Sequence, residues 1–226
     1  MLELRNVTTG YSRAAVLHDV SISVPTGQAV AITGHNGAGK TTLLRAAVGL
    51  LPVKRGQVLL DGEDVTALPP NKRVRRGIGY VPQGQLCFPQ MTTRENLQLI
   101  ERHGEAIDEV LDIFPALRDL LDRRAGLLSG GQRQQLSIAR TLLTKPRMLI
   151  LDEPTEGIQP NVVAEIERVI TELTGRGDLS VLLVEQHVGF ALRTTDRYYV
   201  LESGRVTASG DGGDSAIDAV RTAMAV

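Results

Sequence analysis

A glycine-rich stretch near the start of the chain places one lysine and two hydroxyl groups beside three residues that have no side chain. It reads GHNGAGKTT and covers residues 34–42. Glycines allow backbone N–H groups to turn inward around a phosphate, a lysine can reach the β- and γ-phosphates, and a threonine hydroxyl can ligate Mg²⁺. The pattern Gly34-x4-Gly39-Lys40-Thr41 therefore predicts a loop that binds a nucleoside triphosphate together with Mg²⁺.

The alternative for this stretch is a glycine-rich turn with a chance lysine. A phosphate-binding loop requires a strand before it and a helix after it. The apolar run QAVAIT precedes the stretch, and TTLLRAAVGLL has helical spacing and strong helix formers. Because such a helix points the positive end of its dipole at the same phosphates, this context favours the phosphate loop.

Two acids, Asp152 and Glu153, end the hydrophobic run MLILDE. Asp152 is placed to hold the Mg²⁺ shell, and Glu153 to orient or deprotonate an attacking water. Acids at the end of a strand are common for purely structural reasons, so the pair alone decides little. Together with the phosphate loop upstream, it completes one predicted site for metal-assisted phosphate hydrolysis.

The segment LSGGQ, residues 128–132, opens a helix in an unusual way. Ser129 is a good N-cap, which is a sufficient local explanation for the serine. Gly130 and Gly131 weaken a helix start without local benefit, but they would admit a phosphate from outside. Because the phosphate loop already surrounds the nucleotide on one side, LSGGQ is predicted to meet the nucleotide of another subunit.

These groups need a scaffold that brings distant segments together. Strand-like and helical segments alternate along the chain, which is typical of a mostly parallel, doubly wound sheet. The first residues, up to about 32, read as strands and turns, and the pattern from Thr92 to about Ala125 is helical. We therefore expect a single domain, with residues 1–87 and 144–226 as the nucleotide-binding core and residues 88–143 as a helical subdomain.

Composition excludes several other classes of protein. The 226 residues are 42% hydrophobic and 23% charged, and the net charge of −1 gives no general attraction to nucleic acid. The single cysteine, Cys87, excludes an intramolecular disulfide and fits a reducing cytoplasm. The sequence offers neither an apolar run of the roughly 20 residues that a membrane span needs nor a secretory signal. Any action at a membrane would therefore require a partner.

Five motifs in order, GHNGAGKT, YVPQ, LSGGQRQQLSIAR, LILDEPT and VEQH, resemble those of ATP-binding cassette (ABC) ATPases. The resemblance extends from about Leu2 to Gly210. It implies a P-loop, RecA-like α/β core with an antiparallel β-subdomain and an inserted α-helical subdomain. It also implies hydrolysis of ATP to ADP and phosphate with Mg²⁺, in a head-to-tail dimer that holds each ATP between one P-loop and the LSGGQ segment of the other subunit.

The resemblance also assigns roles to particular residues. Tyr11 matches the aromatic residue that stacks on adenine, with a core tyrosine as the alternative. Gln83 matches the glutamine that senses Mg²⁺ and water, and His187 the switch histidine that contacts the γ-phosphate, so both join Glu153 as catalytic residues. Mg²⁺ is expected at Thr41, Gln83 and, through water, Asp152. The remaining expected ATP contacts are Gly34, His35, Asn36, Gly37, Ala38, Gly39, Lys40, Thr41 and Thr42. The contacts expected to the opposite subunit's ATP are Ser129, Gly130, Gly131 and Gln132.

Longer segments narrow the resemblance to a subgroup. DEPTEGIQPNVV, LDGEDVTALPP and VEQHVGFAL resemble bacterial importer ATPases for branched-chain amino acids and for urea or short amides. EGIQP and FPALRDLLDRRAGLLSGGQ are closer to the urea type, and Gln159 stands where the family usually has an aspartate. The subgroup implies a second ATPase subunit, two membrane permeases and a periplasmic solute-binding protein, with the ATPase on the cytoplasmic face of the inner membrane.

Two alternatives to an importer remain open. An exporter ATPase, for example for lipids, uses the same cassette. The segments EGIQP and GIGYVPQG argue against an exporter but do not exclude it. A soluble ABC ATPase acting on ribosomes or DNA is disfavoured by the single cassette, the lack of sustained heptads and the lack of surplus positive charge.

Several segments outside the motifs carry weaker expectations. The basic stretch 72–76 is expected to be a solvated face. Residues 83–88 are expected to receive a permease coupling helix, with Cys87 as a small apolar filler. Leu97, Ile100, Val110 and Phe114 are expected in the core of the helical insert, and the tail after Ser209 is expected to be peripheral.

Overall fold

The computed structural model describes residues 1–12, 14–101, 105–177 and 179–224. Its strands are β1 (Leu2–Thr9), β2 (Leu17–Val24), β3 (Ala29–Thr33), β4 (Arg55–Leu60), β5 (Glu63–Asp64), β6 (Ile78–Val81), β7 (Met148–Asp152), β8 (Ser180–Glu185), β9 (Arg197–Glu202) and β10 (Arg205–Asp211). Its α-helices are α1 (Lys40–Val48), α2 (Pro70–Val74), α3 (Thr93–Gln98), α4 (Glu105–Ile113), α5 (Gly130–Leu142), α6 (Pro160–Gly175), α7 (Val188–Thr194) and α8 (Ile217–Met224). Short 3₁₀ helices cover Pro115–Leu120, Ala125–Leu127 and Asp214–Ala216.

The strands form two sheets. The larger sheet has the order β10-β9-β3-β8-β7-β6 and is parallel from β9 to β6, with β10 antiparallel at its edge. The smaller sheet has the order β2-β1-β4-β5 and is antiparallel. The predicted α/β class, with a mostly parallel core sheet and an antiparallel β-subdomain, is confirmed.

The carboxyl ends of the central strands meet at one edge of the larger sheet. β3, β7 and β8 are buried along their whole length, as strands covered on both faces should be. Their register pairs Thr33 with Glu185 and Asp152 with Val184. The phosphate loop after β3 and the acid pair at the end of β7 are therefore neighbours, at the position where open α/β sheets bind ligands.

A buried arginine holds the far end of α1, the helix that follows the phosphate loop. Gly49 ends this helix with a φ of +83°. Arg73 was expected on a solvated face with the rest of its basic stretch, but it is 1% exposed. Its guanidinium donates 2.7–3.0 Å hydrogen bonds to the carbonyl groups of Ala46, Ala47, Thr66 and Leu68. The expectation fails for Arg73 because the last carbonyls of a helix lack intrahelical donors and a guanidinium can satisfy several of them; Lys72 and Arg75 are exposed as expected.

The described chain between β6 and β7 is mainly helical. The helical pattern predicted from Thr92 to Ala125 is divided among α3, α4 and two 3₁₀ helices, the first beginning at Pro115, which lacks an N–H for an α-helical bond. Leu97, Val110 and Phe114 are buried in a core shared with β7 and β8, as expected. Ile100 is exposed instead, on the wall of a surface groove.

The tail is not peripheral. α8 places Val220, 1% exposed, against Val188 and Leu192 of α7. At its end, the Met224 carbonyl is hydrogen-bonded to the His35 ring within the phosphate loop. The tail after Ser209 was expected to be peripheral, but apolar residues of α8 pack on α7. Among the described residues, no helix combines the length and apolarity required to cross a membrane.

Candidate active site

A cavity of about 400 Å³ opens at the carboxyl edge of the larger sheet. It brings together many of the residues singled out from the sequence, which lie far apart along the chain. Its lining residues are Tyr11, Val16, Asn36, Gly37, Gly39, Lys40, Thr41, Thr42, Gln83, Glu153, Glu156 and Gln186. Tyr11 is 43% exposed on this wall, where its hydroxyl accepts a hydrogen bond from Arg45, so the alternative of a core tyrosine is wrong.

The phosphate loop holds its shape through glycine. Gly37 and Gly39 have φ values of +82° and +106°, a region that side chains disfavour. A Cβ on Gly34 would lie 2.1 Å from the Leu201 carbonyl oxygen, so only glycine allows β9 to pass this close. Gly34, His35 and Ala38 belong to the loop but do not line the cavity.

Lys40, the first residue of α1, is almost fully buried at the back of the cavity. Its ammonium group donates hydrogen bonds to the carbonyl oxygens of Gly34 at 2.8 Å and His35 at 3.1 Å. It also lies 3.6 Å from Oε1 of Glu153. A lysine held this way presents a fixed positive charge to anything that enters beside Glu153.

The Glu153 carboxylate accepts hydrogen bonds from two glutamine amides. The residue's φ of +48° is unusual for a residue with a side chain, and such outliers concentrate at functional sites. Oε1 accepts a hydrogen bond from Gln186 Nε2 at 2.9 Å, and Oε2 accepts one from Gln83 Nε2 at 3.1 Å. The Gln83 amide also donates to Glu156 Oε2 at 2.7 Å. The protein's own side chains therefore orient the carboxylate, as a general base requires.

Asp152 lies beside Glu153 at the end of β7 and is buried. The Tyr80 hydroxyl donates to its Oδ2 at 3.3 Å, whereas Oδ1 is buried without a hydrogen-bond partner among the described residues. Burial raises the pKa of Asp152 to about 6, against the opposing effect of the Tyr80 hydrogen bond. Burial also raises the pKa of Tyr80, whose phenol remains a donor.

The unpartnered oxygen of Asp152 makes this corner suitable for a cation. Mg²⁺ prefers oxygen ligands, and the Thr41 hydroxyl and the Gln83 amide oxygen belong to residues that line the same cavity. Burying a carboxylate oxygen without a donor is costly unless a cation or water satisfies it. Thr41, Gln83 and Asp152 thus fit Mg²⁺.

His187 lies away from this cavity. It is exposed and lines a different depression, with Ile158, Phe190 and Arg193. Gln186, one residue earlier, lines the cavity and contacts Glu153. The sequence interpretation selected the histidine because it matches the switch histidine of the family that the chain resembles. A signal in the sequence that could have found Gln186 is the two-residue period of a strand, because adjacent residues at a strand end point to opposite sides.

A second residue that the sequence interpretation missed is Glu185, the last residue of β8. Its buried carboxylate accepts hydrogen bonds from the backbone N–H of Thr155 at 3.1 Å and from the Thr155 hydroxyl at 2.7 Å. It also accepts from the backbone N–H groups of Gln186 and His187. Glu185 therefore joins the segment after β7 to the segment after β8. Burial raises the pKa of its carboxyl group, and the hydrogen bonds from Thr155 oppose that shift.

The LSGGQ segment lies outside the cavity of its own chain. Ser129 caps α5 in a capping box: its hydroxyl accepts from Gln132 N at 3.2 Å, and Gln132 Oε1 accepts from Ser129 N at 2.9 Å. Gly131 has a packing reason that the sequence did not reveal, because a Cβ there would lie 2.9 Å from a methyl carbon of Val162 on α6. Ser129 is exposed.

The chain resembles known proteins over most of its length. A protein-family profile described as "ABC transporter" matches residues 17–156. The branched-chain amino acid transport ATP-binding protein BraG of Pseudomonas aeruginosa is 38% identical, covering 94% of this chain and 93% of that protein. The probable branched-chain amino acid transport ATP-binding protein LivF of Archaeoglobus fulgidus is 41% identical over 93% and 92%. The lipopolysaccharide export ATP-binding protein LptB of Haemophilus influenzae is 36% identical over 93% and 90%.

Solved structures also superpose closely on the fold of this chain. A nucleotide-free ATP-binding cassette from an ABC transporter superposes with a TM-score of 0.89 at 29% identity, covering 98% of this chain and 95% of that one. A bacterial ABC transporter cassette solved as a dimer superposes with a TM-score of 0.84 at 26% identity, covering 93% and 98%.

Proposed function

Because the chain belongs to the ABC transporter family as an ATP-hydrolysing subunit, we propose that it drives a bacterial importer in which separate permease subunits carry the solute. The proposal of ATP hydrolysis rests on one observation: Lys40, Gln83 and Glu153 line one cavity beside the buried Asp152. We further propose that residues 88–143 act as the helical subdomain of this ATPase, with residues 1–87 and 144–226 as its core.

Each of these residues has a task in hydrolysis. The loop from Gly34 to Thr42 binds the phosphates of ATP through its N–H groups, and Lys40 binds their negative charge. Tyr11 stacks on the adenine. Mg²⁺ held by Thr41, Gln83 and Asp152 would neutralise charge on the β- and γ-phosphates. Glu153, oriented by glutamine amides, accepts the proton of the attacking water.

A second ATPase subunit completes the site. Ser129, Gly130, Gly131 and Gln132 are proposed to contact the ATP bound to the other subunit's P-loop. Two observations support this arrangement: the segment lies outside the cavity of its own chain with Ser129 exposed, and a related cassette was solved as a dimer.

The proposal of a permease partner is supported by an apolar groove of about 410 Å³ beside the loop that follows β6. Its walls include Leu50, Val74, Leu86 and Ile100, all large apolar side chains exposed to solvent. Leu86 belongs to the stretch 83–88 that was expected to receive a coupling helix. Within that stretch, Cys87 packs partly buried against the core, and burial raises the pKa of its thiol, in keeping with a filler.

The proposed location is the cytoplasmic face of the bacterial inner membrane, reached through the permeases. A periplasmic solute-binding protein would act only indirectly, through those permeases. Nucleic acid is not proposed as a partner, since the chain carries a net charge of −1.

Branched-chain amino acids are the proposed solute, on the basis of the similarity to BraG and LivF. Urea or a short amide remains the sequence-based alternative, resting on EGIQP and the segment before LSGGQ. In a strain lacking the gene, uptake of labelled leucine and labelled urea would be measured after complementation with the wild type or with Glu153→Gln. Leucine uptake restored by the wild type alone is the expected result. Restoration of urea uptake alone would transfer the proposal to urea.

A second candidate function is favoured by the similarity to LptB, a lipopolysaccharide export protein. The same strain distinguishes it. If uptake of both solutes is unchanged and lipopolysaccharide at the cell surface falls, the chain energises an exporter.

A further inference from the structure

We propose that the helix α8 positions the phosphate loop for nucleotide binding, through the hydrogen bond between the Met224 carbonyl and the His35 ring. The inference deepens the proposed function, because it rests on the binding of nucleotide phosphates by this loop. It assigns His35 and Met224 as positioning residues, which hold the loop from outside the nucleotide cavity. Three observations carry it: the anchoring of α8, its two contacts with the start of the loop, and the partners of the His35 carbonyl.

The first observation is that α8 is fixed to the core of the protein. Just before the helix, Gly213 N donates a hydrogen bond to the Leu192 carbonyl of α7 at 2.7 Å. A Cβ on Gly212 would lie 1.9 Å from the Thr195 carbonyl oxygen, so only glycine lets the chain pass this close. Within the helix, Val220 is 1% exposed and packs against α7. A terminal segment that is tied down in this way can hold the residues that its last turn contacts.

The second observation is that Met224, at the end of α8, contacts the chain on both sides of Gly34. The last carbonyls of a helix lack intrahelical donors, and His35 Nε2 supplies one to the Met224 carbonyl. Because a carbonyl oxygen can only accept, Nε2 carries a proton in this contact. The Met224 sulfur accepts a hydrogen bond from the hydroxyl of Thr33, the buried last residue of β3, at 3.5 Å. One residue of α8 therefore holds the point at which β3 becomes the phosphate loop.

The third observation connects this contact to the phosphate site. The His35 carbonyl accepts hydrogen bonds from the Lys40 ammonium and from the backbone N–H of Ala38, both at 3.1 Å. His35 is exposed and does not line the nucleotide cavity. Its ring thus contacts α8, while its carbonyl contacts the lysine that is proposed to bind phosphate charge. Because a loop that is already held in its binding geometry loses less entropy when the ligand binds, this bracing should raise nucleotide affinity.

The test measures the binding of ADP with Mg²⁺ to the purified chain by titration calorimetry, because ADP binding requires no hydrolysis step. His35→Leu removes the ring donor, whereas His35→Gln keeps an N–H group at a similar reach. From the usual contribution of one hydrogen bond, we expect His35→Gln to bind ADP about threefold to tenfold more tightly than His35→Leu. Equal affinities of the two variants would overturn the proposal.

A shortened chain distinguishes this contact from direct binding of phosphate by the His35 side chain. A chain that ends at Thr222 lacks Met224 but keeps Val220, which packs on α7. In this shortened chain, His35→Gln and His35→Leu should bind ADP equally, because the Met224 carbonyl is no longer present to accept a hydrogen bond. If the difference between the two variants persists, the side chain at position 35 acts on the nucleotide directly and the proposal fails.

A full-length variant removes the same contact without creating a new chain end. Met224→Gly deletes the sulfur and weakens the last turn of the helix. We expect it to weaken ADP binding, as the shortened chain does. Arg221→Ala is the matched control on the same helix, because Arg221 is exposed and pairs with Asp218; it should bind ADP within about twofold of the wild type. Unchanged or tighter binding in both Met224→Gly and the shortened chain would show that α8 does not support the loop.

These measurements also distinguish this inference from the proposed function. If the wild-type chain binds no ADP, the proposed nucleotide site itself is refuted. If the wild type binds ADP and the variants at His35 and Met224 bind it equally tightly, only the role of α8 is refuted, and the proposed function stands.

Discussion

Tyr80 and Asp152 are joined by a hydrogen bond from the phenol hydroxyl to Oδ2, at 3.3 Å. Tyr80 lies on β6, and Asp152 is the last residue of the neighbouring strand β7. Tyr80 also lines the apolar groove proposed for the permease. One side chain therefore contacts both the proposed partner surface and the carboxylate proposed to hold Mg²⁺.

Tyr80→Phe removes the hydroxyl and leaves Oδ2 of Asp152 buried without its donor. An intramolecular hydrogen bond contributes about 1 kcal/mol, which corresponds to roughly fivefold in an equilibrium constant. We expect a change of that order in the Mg²⁺ concentration that half-saturates Mg²⁺-dependent nucleotide binding, measured by titration calorimetry. Tyr199→Phe is the control, because that hydroxyl accepts a hydrogen bond from Ser23 N away from the cavity. Equal Mg²⁺ dependence in both variants would show that the Tyr80 contact has no part in metal binding.

The raised pKa of Asp152 predicts a pH dependence of stability. Burial places this pKa at about 6, above the ordinary value of 3.8, so the folded state binds the proton more tightly than the unfolded state. Stability without metal should therefore rise as pH falls from 7 towards 4, since protonation removes a buried charge. Denaturant unfolding of the wild type and Asp152→Asn at several pH values measures this. The variant should lack that part of the rise; identical pH dependence would contradict the shifted pKa.

The same pKa predicts the opposite trend for Mg²⁺. A cation needs the ionised carboxylate, so protonation of Asp152 competes with metal binding. Mg²⁺-dependent nucleotide binding should weaken as pH falls from about 7 through 6. Constant affinity across this range would exclude Asp152 from the metal site.

Ser129→Arg tests the shared site. Ser129 is exposed and lies outside its own cavity, so an arginine there should leave nucleotide binding by one chain nearly intact while abolishing hydrolysis. Lys40→Ala should instead weaken nucleotide binding. Mixing the two inactive variants should restore hydrolysis if two copies of this chain pair, because one intact site forms. If mixing restores nothing, the partner is a different ATPase, whereas hydrolysis by Ser129→Arg alone would refute the shared site.

Arg73→Met tests the buried end of α1. The substitution leaves four carbonyl groups without the guanidinium, all of them at buried or partly buried positions. We expect a loss of about 2–4 kcal/mol in the free energy of unfolding. Arg75→Met, on an exposed neighbour, should change it by less than about 0.5 kcal/mol. Equal effects would show that the carbonyl contacts of Arg73 contribute nothing to stability.

Local patterns were a good guide where one short segment contains the whole explanation. The phosphate loop is such a segment, because glycine, lysine and threonine act within a few residues of each other, and the parallel sheet follows from alternating strands and helices. Patterns failed where the explanation lay in a distant segment. Arg73 was interpreted as a solvated charge because no residue near it in the sequence indicates that carbonyl groups of α1 accept its hydrogen bonds in the interior. Gly131 likewise depends on Val162, a residue of another helix.

By itself, the sequence determined the class of fold, the phosphate loop and the acid pair of this ATPase, because those depend on residue type and short-range spacing. Tertiary structure alone decided which of two adjacent side chains, Gln186 or His187, contacts Glu153. It also decided that the tail reaches the phosphate loop through α8. The physical reason is the same in both cases: the direction of a side chain at a strand end, and the surface on which a helix packs, are set by contacts with residues that are remote in sequence.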